Sequence, residues 1–426
     1  MAKLVRGQFA KIVVDALAQP NLFTIQAMRT LSNIGAGAGE LGQVLTAWER
    51  ADELLSTGAD PGHAWYTTWN KLAMAEEARA GAMESHCAVS ASSAALRASE
   101  YHRQSEFFLR LINNEQDPRR QSATASLKQS FQRHLQLREI PFEVIDTPIS
   151  EGYFIPSATP DKSPTVIYPS GYDSYAEEGW AAGGKEGWDR GYNVCLVDGP
   201  GQGHIIRRPQ NQSYLRPDLI DEHFQGVTDW VRAHSRSLPD SVVLFGRSFS
   251  GCLSLYAAGR LTGKLAGLVL DPPQPCNDRL LQGQLAKLDQ HAPGLKQALE
   301  TGDRETFDTL FWQVVGVEAS WDNKFYWQSR LGTHGATTPF EFFEIFSGFD
   351  AVDRLSGIDC PVWVSDNKSE HVAMPSLPVL LEHMESEVTV CEFTREREGS
   401  LGHILAGAQS QFIEEVYTWI AKTLPK

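Results

Sequence analysis

Apolar residues follow a helical period in the first third of the chain. The stretch "SSAALRASEYHRQSEFFLRLI" (residues 92–112) places five apolar side chains within reach of one helical stripe: Leu96, Tyr101, Phe107, Phe108 and Leu109. A further helix is expected after Pro118, to about Leu137. Because few strand-like segments occur there, we predict that residues 1–140 form an N-terminal helical cap region.

After Pro141 the pattern changes to short apolar runs that are separated by Gly, Pro and Asp turns. These runs are predicted as strands: "FEVIDT", "PTVIYPSG", "YNVCLVDGPG", "VVLFGRS", "LAGLVLDPP", "CPVWVSD" and "VTVCEF". Segments of helical character lie between most of them. Apolar strands that alternate with helices are typical of a mostly parallel sheet covered on both faces, so we predict an α/β core in residues 141–271 and 356–426.

The connection between the predicted strands "LAGLVLDPP" and "CPVWVSD" is unusually long. No strand of the series is expected in residues 272–355, and the segment is rich in aromatic residues between Phe307 and Phe349. It is predicted as a helical insertion with a small core of its own, or as a helical lid that lines an apolar pocket. The two interpretations are compatible. We expect the N-terminal helices and this insertion to close over the site as a two-part cap.

Composition and charge narrow the range of partners. The chain has 426 residues, 42% of them hydrophobic, and a net charge of −15, which argues against nucleic acid or an anionic membrane as a partner. None of the six cysteines forms a CxxC pair, as expected of reduced thiols in a cytoplasmic protein. The first 20 residues do not resemble a signal peptide, and no apolar run is long enough to span a membrane.

Candidate chemistry begins at "VVLFGRSFSGCLS" (residues 242–254). A strand-like run is followed by Gly246, Ser248 and Ser250, and then by a helix-like segment. This arrangement approximates G-x-S-x-G, the nucleophile elbow, in which a tight strand-to-helix turn exposes a serine hydroxyl. The final glycine is replaced by Ser250, and Gly251 adds space one residue later. Ser248 is the candidate nucleophile.

A serine hydroxyl needs a base, and in this type of fold the acid and the histidine follow the serine in that order. Of the 12 histidines, only His371, His383 and His403 follow the aromatic segment. His403 comes after the strand "VTVCEF" and a polar loop, at the start of the final helix. It is therefore the predicted base.

Two carboxylates follow the strand "CPVWV", namely Asp366 and Glu370. The acid lies several residues beyond the strand in such folds, where the loop reaches under the imidazole, and this favours Glu370. Asp366 could instead cap the turn. Asp271, at the end of "LAGLVLDPP", is a third and less favoured choice.

An oxyanion needs two backbone N–H donors. The predicted donors are Phe249, directly after the nucleophile, and Tyr172, in the loop after "TVIYPSG". A plain βα turn is the alternative interpretation of that loop. The second Gly-rich turn, "DGPGQG" (residues 198–203), lacks the lysine of a phosphate-binding loop, so we interpret it as structural or as the edge of a pocket.

These residues resemble the α/β-hydrolases of the FrsA-like group, which includes bacterial 2,6-dihydroxypseudooxynicotine hydrolase and fungal hydrolases of polyketide clusters. The N-terminal "RASEYHRQSEFFLR" and "DPRR" are similar to the helical region of that group. The segments "SGYDSYAEEGW", "RGYNVCLVDGPGQG", "GRSFSG" and "CPVWVSDNKSEH" are similar to its core motifs. Two residues depart from the pattern: Ser250 stands for glycine, and Glu370 stands where the group more often has aspartate.

The resemblance implies an α/β-hydrolase fold with an N-terminal helical cap, often as a homodimer. It also implies cleavage of esters, or of carbon–carbon bonds next to ketones. The aromatic insertion predicts a mostly apolar substrate of medium size, such as a polyketide-derived metabolite, and we expect no cofactor and no metal. Alternatives are an acyl-enzyme cyclase or transferase acting on polyketide-type intermediates, and a non-catalytic ligand-binding protein built on a hydrolase fold.

Overall fold

The structure is a computed structural model that describes residues 21–110, 117–208, 213–318, 320–370 and 376–424, except for the side chains of residues 277–280 and 317–318. The described chain forms two compact units. One contains the described residues up to Glu139, and the other begins at Ile140.

The first unit is helical throughout the residues described. Its helices are α1 (Leu22–Ser32), α2 (Leu41–Ser56), α3 (Pro61–Met83), α4 (Ala88–Glu106) and α5 (Pro118–Leu137). The predicted helical stripe is only partly correct, because α4 ends at Glu106 and residues 107–109 form a 3₁₀ turn. All five apolar side chains of that stripe are nevertheless buried.

Helix α4 is buried on nearly all sides, although many of its side chains are charged. The Arg97 guanidinium pairs with Glu76 of α3 at 2.8 Å, and Arg120 of α5 pairs with Glu106 at 2.9 Å. All four of these side chains are buried. The helical unit is therefore held together by charged pairs as well as by apolar contacts, which a search for an apolar stripe does not detect.

The second unit is built on one sheet of eight strands among the residues described. The strands are β1 (Glu143–Thr147), β2 (Ser150–Ile155), β3 (Thr165–Pro169), β4 (Asn193–Asp198), β5 (Val242–Arg247), β6 (Gly267–Asp271), β7 (Val362–Asn367) and β8 (Val388–Phe393). Their order is β1-β2-β4-β3-β5-β6-β7-β8. The pairs β1–β2 and β2–β4 are antiparallel, and the other neighbouring pairs are parallel. The predicted mostly parallel sheet is confirmed.

Strand β2 was not predicted from the sequence. It starts with Ser150, Glu151 and Gly152, and the two polar residues and the glycine interrupt the apolar pattern. Its backbone pairs with β1 on one side and β4 on the other, and all six of its residues are buried. A Cβ on Gly152 would overlap the Leu196 carbonyl of β4, so a glycine is needed there for close pairing.

Helices connect the strands of this unit. They are α6 (Lys185–Asp189), α7 (Pro217–Ala233), α8 (Phe249–Ala258), α9 (Asn277–Asp289), α10 (Leu295–Thr301), α11 (Arg304–Trp312), α12 (Trp321–His334), α13 (Pro339–Ser347), α14 (Leu377–His383) and α15 (Gln409–Thr423). Helices α9–α13 occupy the long connection between β6 and β7, which we call the insertion.

The insertion has an aromatic core. Eight buried rings of the insertion belong to one apolar cluster: Phe307, Phe311, Trp327, Phe340, Phe342, Phe343, Phe346 and Phe349. These rings contact one another, as Phe311 does with Trp327 at a centroid distance of 4.9 Å. The same core continues into the apolar residues beneath the sheet. Trp312 and Trp321, in contrast, are partly exposed.

The six cysteines all lie within the described residues and form no disulfide, and Cys195, Cys252 and Cys360 are buried. Within the part of the chain that the structure describes, no helix has the length and apolar character needed to cross a bilayer.

Strand β5 and helix α8 approach each other so closely that a side chain at Gly246 would be destabilising. A Cβ there would overlap the Ser250 carbonyl oxygen and lie 2.7 Å from Ser254 Oγ. We expect Gly246→Ala to lower the free energy of unfolding in urea by about 1–3 kcal/mol. Gly226→Ala is the control, because Gly226 is exposed on α7 and has open space around it. It should raise stability by up to about 1 kcal/mol, and equal effects of the two changes would contradict this account.

A buried histidine on α7 should make stability depend on pH. Burial lowers the pKa of His223 to about 3, and Ser150 Oγ lies 2.7 Å from its Nδ1. At pH 5 the folded chain keeps this imidazole neutral, whereas the unfolded chain protonates it below about pH 6.5. Unfolding then takes up a proton, so stability is lost as the pH falls.

The expected loss from His223 between pH 7.5 and pH 5.0 is about 2 kcal/mol, and His223→Gln should remove that part of the pH dependence. Urea unfolding at the two pH values measures it. His291→Gln, at an exposed histidine, should leave the difference between the two pH values unchanged. An unaltered difference in His223→Gln would show that the imidazole is not protonated on unfolding.

Candidate active site

Ser248 occupies the turn between β5 and α8, in a backbone conformation that few residues other than glycine adopt. Its φ is 55° and its ψ is −135°. Such a conformation costs about 1–3 kcal/mol and persists only where the surroundings fix it. Here the Ser248 N–H donates to the Asp271 carbonyl at 2.7 Å, and the Ser248 carbonyl accepts from the Gly251 N–H at 2.9 Å. The turn thus holds the serine in place between strand and helix.

The structure brings together the three residues predicted as nucleophile, base and acid. Ser248 Oγ lies 2.8 Å from His403 Nε2, and His403 Nδ1 lies 2.9 Å from both carboxylate oxygens of Glu370. The Glu370 side chain is 1% exposed and that of His403 is 13% exposed. The imidazole therefore has the serine on one nitrogen and a buried carboxylate on the other.

The other two carboxylates considered as the acid, Asp366 and Asp271, have partners other than His403. Asp366 pairs with Lys368 at 2.6 Å and has no hydrogen bond to His403. Asp271 is buried against Arg247 at 3.2 Å and accepts from Ser365 at 2.7 Å, and burial raises its pKa.

The other two candidate histidines do not contribute to this arrangement within the described structure. His383 Nδ1 contacts the Val379 carbonyl of its own helix, and His371 lies outside the described residues.

A hydrogen-bond network that the sequence did not reveal joins the loop carrying Glu370 to the loop carrying His403. Asn367 donates to the Gly402 carbonyl at 2.8 Å and accepts from Ser400 Oγ at 2.8 Å. Ser369 Oγ donates to the Ser400 carbonyl at 2.9 Å. Since these residues adjoin the acid and the base, the network fixes the distance between the two loops.

Arg247, directly before the serine, joins three further segments. Its buried guanidinium donates to Asp271, to the Ala182 carbonyl at 3.1 Å and to the Ile404 carbonyl at 2.5 Å. Burial lowers the pKa of Arg247 and raises that of Asp271, because it opposes both charges, and each charge offsets part of this effect on the other. The contact with Ile404 ties the residue after His403 to the strand that carries Ser248.

The loop after β3, residues 170–174, lies beside the serine, and we call it the oxyanion loop. A Cβ built on Gly171 would be 3.4 Å from the Ser248 Cβ. The Tyr172 ring packs on the Phe249 ring at a centroid distance of 4.8 Å. Phe249 is the first residue of α8, where backbone N–H groups lack partners within the helix. The two predicted N–H donors therefore belong to segments that meet at Ser248.

The structure explains why Ser250 can replace the glycine of the motif. Its hydroxyl accepts from the Arg247 N–H at 2.8 Å and donates to the Arg247 carbonyl at 2.7 Å, so it closes the turn. The close approach to β6 occurs at the next residue, since a Cβ on Gly251 would lie 2.6 Å from the Pro272 oxygen. The steric requirement is met one position later.

Comparison with solved structures gives full-length similarity. The 2,6-dihydroxy-pseudo-oxynicotine hydrolase superposes with a TM-score of 0.65 at 18% identity, covering 92% of this chain and 95% of that one. The structure of AbyA5 has a TM-score of 0.61 at 17% identity and covers 98% and 96%. The chain has the α/β-hydrolase fold.

Sequence comparison gives fungal relatives. The chain is 29% identical to the 20-hydroxy-prefusarin hydrolase FUS2 of Gibberella moniliformis over 56% of its length, and 31% identical to the hydrolase acrC of Aspergillus aculeatus over 56%. The alpha/beta hydrolase xenA of Xenoacremonium sinensis is 27% identical over 81% of each chain. The matches to the first two relatives cover only 58% and 59% of those proteins. No family model matches.

The second unit also has a largely buried cluster around the carboxyl end of β4 that could offer ligand atoms to a cation. Glu177, Asp198 and His204 have potential ligand atoms within 4.8 Å of one another. Both carboxylates already accept hydrogen bonds, because Tyr153 donates to Glu177 at 2.8 Å and Ser170 donates to Asp198 at 2.6 Å. Burial raises the pKa of Asp198 to about 7. The hydrogen bonds fit a structural role, in which the turn "DGPGQG" supports the oxyanion loop through Ser170.

The choice between the two acids can be tested by the reactivity of Ser248. Glu370→Gln should lower the rate at which a fluorophosphonate modifies Ser248 by about 10³- to 10⁴-fold, because the imidazole loses the charge that orients it. Asp366→Asn is the matched control and should change the rate by less than about threefold, since its carboxylate contacts a surface lysine. The opposite ranking, measured by mass spectrometry of the intact protein, would assign the acid to Asp366.

Proposed function

We propose that the chain is a serine hydrolase that attacks the carbonyl carbon of an ester, or of a ketone next to a scissile carbon–carbon bond. The observation that carries this proposal is the continuous contact from Ser248 Oγ through His403 to Glu370, at 2.8 and 2.9 Å. The fungal relatives named as hydrolases support it.

In the proposed reaction, His403 Nε2 takes the hydroxyl proton as Ser248 Oγ bonds to the carbonyl carbon. Glu370 stabilises the resulting imidazolium and keeps its orientation. The backbone N–H groups of Phe249 and Tyr172 donate to the carbonyl oxygen as it becomes an oxyanion. The imidazolium then returns the proton to the leaving group, and water hydrolyses the acyl-enzyme by the same steps in reverse order.

The surroundings of the serine favour an apolar substrate of medium size. The Phe249 ring stacks on Phe346 of the insertion, with centroids 5.5 Å apart and an interplanar angle of 16°. Phe349 contacts the same ring edge-on at 6.0 Å. Aromatic side chains bury large areas against flat or conjugated groups. A polyketide-derived metabolite with a ketone or ester carbonyl fits this chemistry better than a sugar or a nucleotide.

The proposed nucleophile can be tested by covalent labelling. A fluorophosphonate probe should modify the wild-type chain once, at Ser248, and Ser248→Ala should lose the label completely, because no activated hydroxyl remains. Ser250→Gly is the control: it restores G-x-S-x-G, and labelling should persist. Mass spectrometry of the labelled peptide identifies the site. A label retained in Ser248→Ala would reject the assignment.

A panel of p-nitrophenyl esters and β-diketones, assayed with the wild-type chain and with Ser248→Ala, tests the reaction type. Turnover of one class that disappears in the variant identifies the bond that is cleaved. Preference for small charged substrates would contradict the proposed apolar substrate.

A further inference from the structure

The oxyanion loop is contacted by the insertion as well as by the sheet. Helix α12 presents Arg330 and His334 four residues apart, on one face of the helix. Arg330 contacts Tyr172 and Asp173, and His334 contacts Tyr172, in the loop beside the serine turn. The insertion therefore contacts the segment that is proposed to supply the second oxyanion donor.

The first contact is a bidentate ion pair between Arg330 and Asp173. Arg330 Nη1 lies 2.5 Å from Asp173 Oδ1, and Nη2 lies 2.9 Å from Oδ2. The same guanidinium is 3.8 Å from the centroid of the Tyr172 ring. The arginine side chain is only 12% exposed, and its partner is 24% exposed. A planar pair that also stacks on a ring fixes orientation as well as distance.

The second contact is a hydrogen bond between buried side chains. His334 Nε2 lies 2.5 Å from Tyr172 Oη, and Nδ1 lies 2.8 Å from the Leu215 carbonyl. Burial lowers the pKa of His334 to about 3, so the ring is neutral near pH 7. A carbonyl only accepts, which places the ring proton on Nδ1. Nε2 then accepts from the Tyr172 hydroxyl, and this tautomer is fixed by its two partners.

We propose that helix α12 positions the second oxyanion donor, with Arg330 and His334 as positioning residues that act through Asp173 and Tyr172. The proposal rests on the proposed function. The Tyr172 side chain is held on one face by Arg330, at its hydroxyl by His334, and against Phe249. Because contacts with the insertion fix the Tyr172 side chain, they also fix the position of the Tyr172 backbone N–H. The aromatic insertion thus serves catalysis as well as substrate binding.

The expected kinetic effect follows from the role of such donors. Loss of one oxyanion donor lowers kcat by about 10²- to 10³-fold, and a donor displaced by about 1 Å retains part of that contribution. The donor contributes less to binding of the ground-state substrate than to stabilisation of the oxyanion. A change in donor position therefore lowers kcat with little change in KM.

Arg330→Met tests the proposal, with Arg304→Met as its matched control. Arg304 is also in the insertion, also pairs with a carboxylate (Glu344, 2.9 Å) and also stacks on a ring (Phe340, 4.8 Å), but its contacts are on other parts of the insertion. With a p-nitrophenyl ester, Arg330→Met should lower kcat about 10- to 100-fold and leave KM within about threefold. Binding of a trifluoromethyl ketone, which forms an oxyanion on the serine, should weaken by the same factor. Arg304→Met should change neither by more than about twofold.

Two results would overturn the proposal. One is a kcat for Arg330→Met that matches the control, and the other is a loss confined to KM, which would assign the arginine to substrate binding. If Arg330→Met does not fold, Tyr172→Phe replaces it, because it removes only the hydroxyl bonded to His334. It should lower kcat about 3- to 10-fold, and an unchanged kcat would reject the proposal.

Hydrogen–deuterium exchange separates this inference from the proposed function. Peptides covering residues 170–176 should exchange faster in Arg330→Met than in wild type or Arg304→Met. If the wild-type chain neither turns over esters nor reacts with a fluorophosphonate, the proposed function fails, and so does the catalytic role given to α12. Faster exchange would then show only that α12 holds the loop. Activity that is normal in Arg330→Met rejects the positioning role alone.

Discussion

The close approach of strand β5 to helix α8 is the constraint on which the candidate site depends. It leaves room for no side chain at Gly246 and forces Ser248 into a left-handed conformation that only its neighbours can maintain. The strained turn raises the hydroxyl above the edge of the sheet, where His403 reaches it. In this chain the Ser250 hydroxyl closes the turn by bonding to the Arg247 backbone, and the close approach that requires a glycine occurs at Gly251.

Two buried carboxylates near this turn, Asp271 and Glu370, have different roles because they have different partners. Asp271 is neutralised by Arg247, and the arginine also holds the carbonyl that follows His403. Glu370 has the imidazole as its neighbour and remains available to it. Both carboxyl groups are buried, so their roles cannot be distinguished by burial. The difference is the position of Arg247: it pairs with Asp271, which is structural, and leaves Glu370, the proposed catalytic acid, to His403.

The sequence was informative where local pattern and geometry agree. The elbow lies between a strand and a helix, and the order of Ser248, Glu370 and His403 follows from strand ends that meet at one edge of a parallel sheet. Strand β2 escaped prediction because its first three residues lack strand-like composition, and only its pairing with β1 and β4 identifies it as a strand. The contacts of Arg247 and Asn367 were equally hidden, since they involve backbone carbonyls that any residue could provide. The arginine on α12 could not be linked to the oxyanion loop, because 157 residues separate it from its partner.

The charged interior of the helical unit has a consequence for how this sequence can change over time. Arg97 and Arg120 are buried with Glu76 and Glu106 as their partners. Glu76 also pairs with Arg79, and Glu106 also pairs with Arg110. Replacing either glutamate therefore removes a buried charge that two arginines share, which costs about 3–5 kcal/mol, whereas exchanging the paired residues together for apolar ones can be neutral. Single substitutions at these positions are therefore selected against during evolution. Related sequences should differ there in pairs, and this covariation would record the ion pairs without any structure.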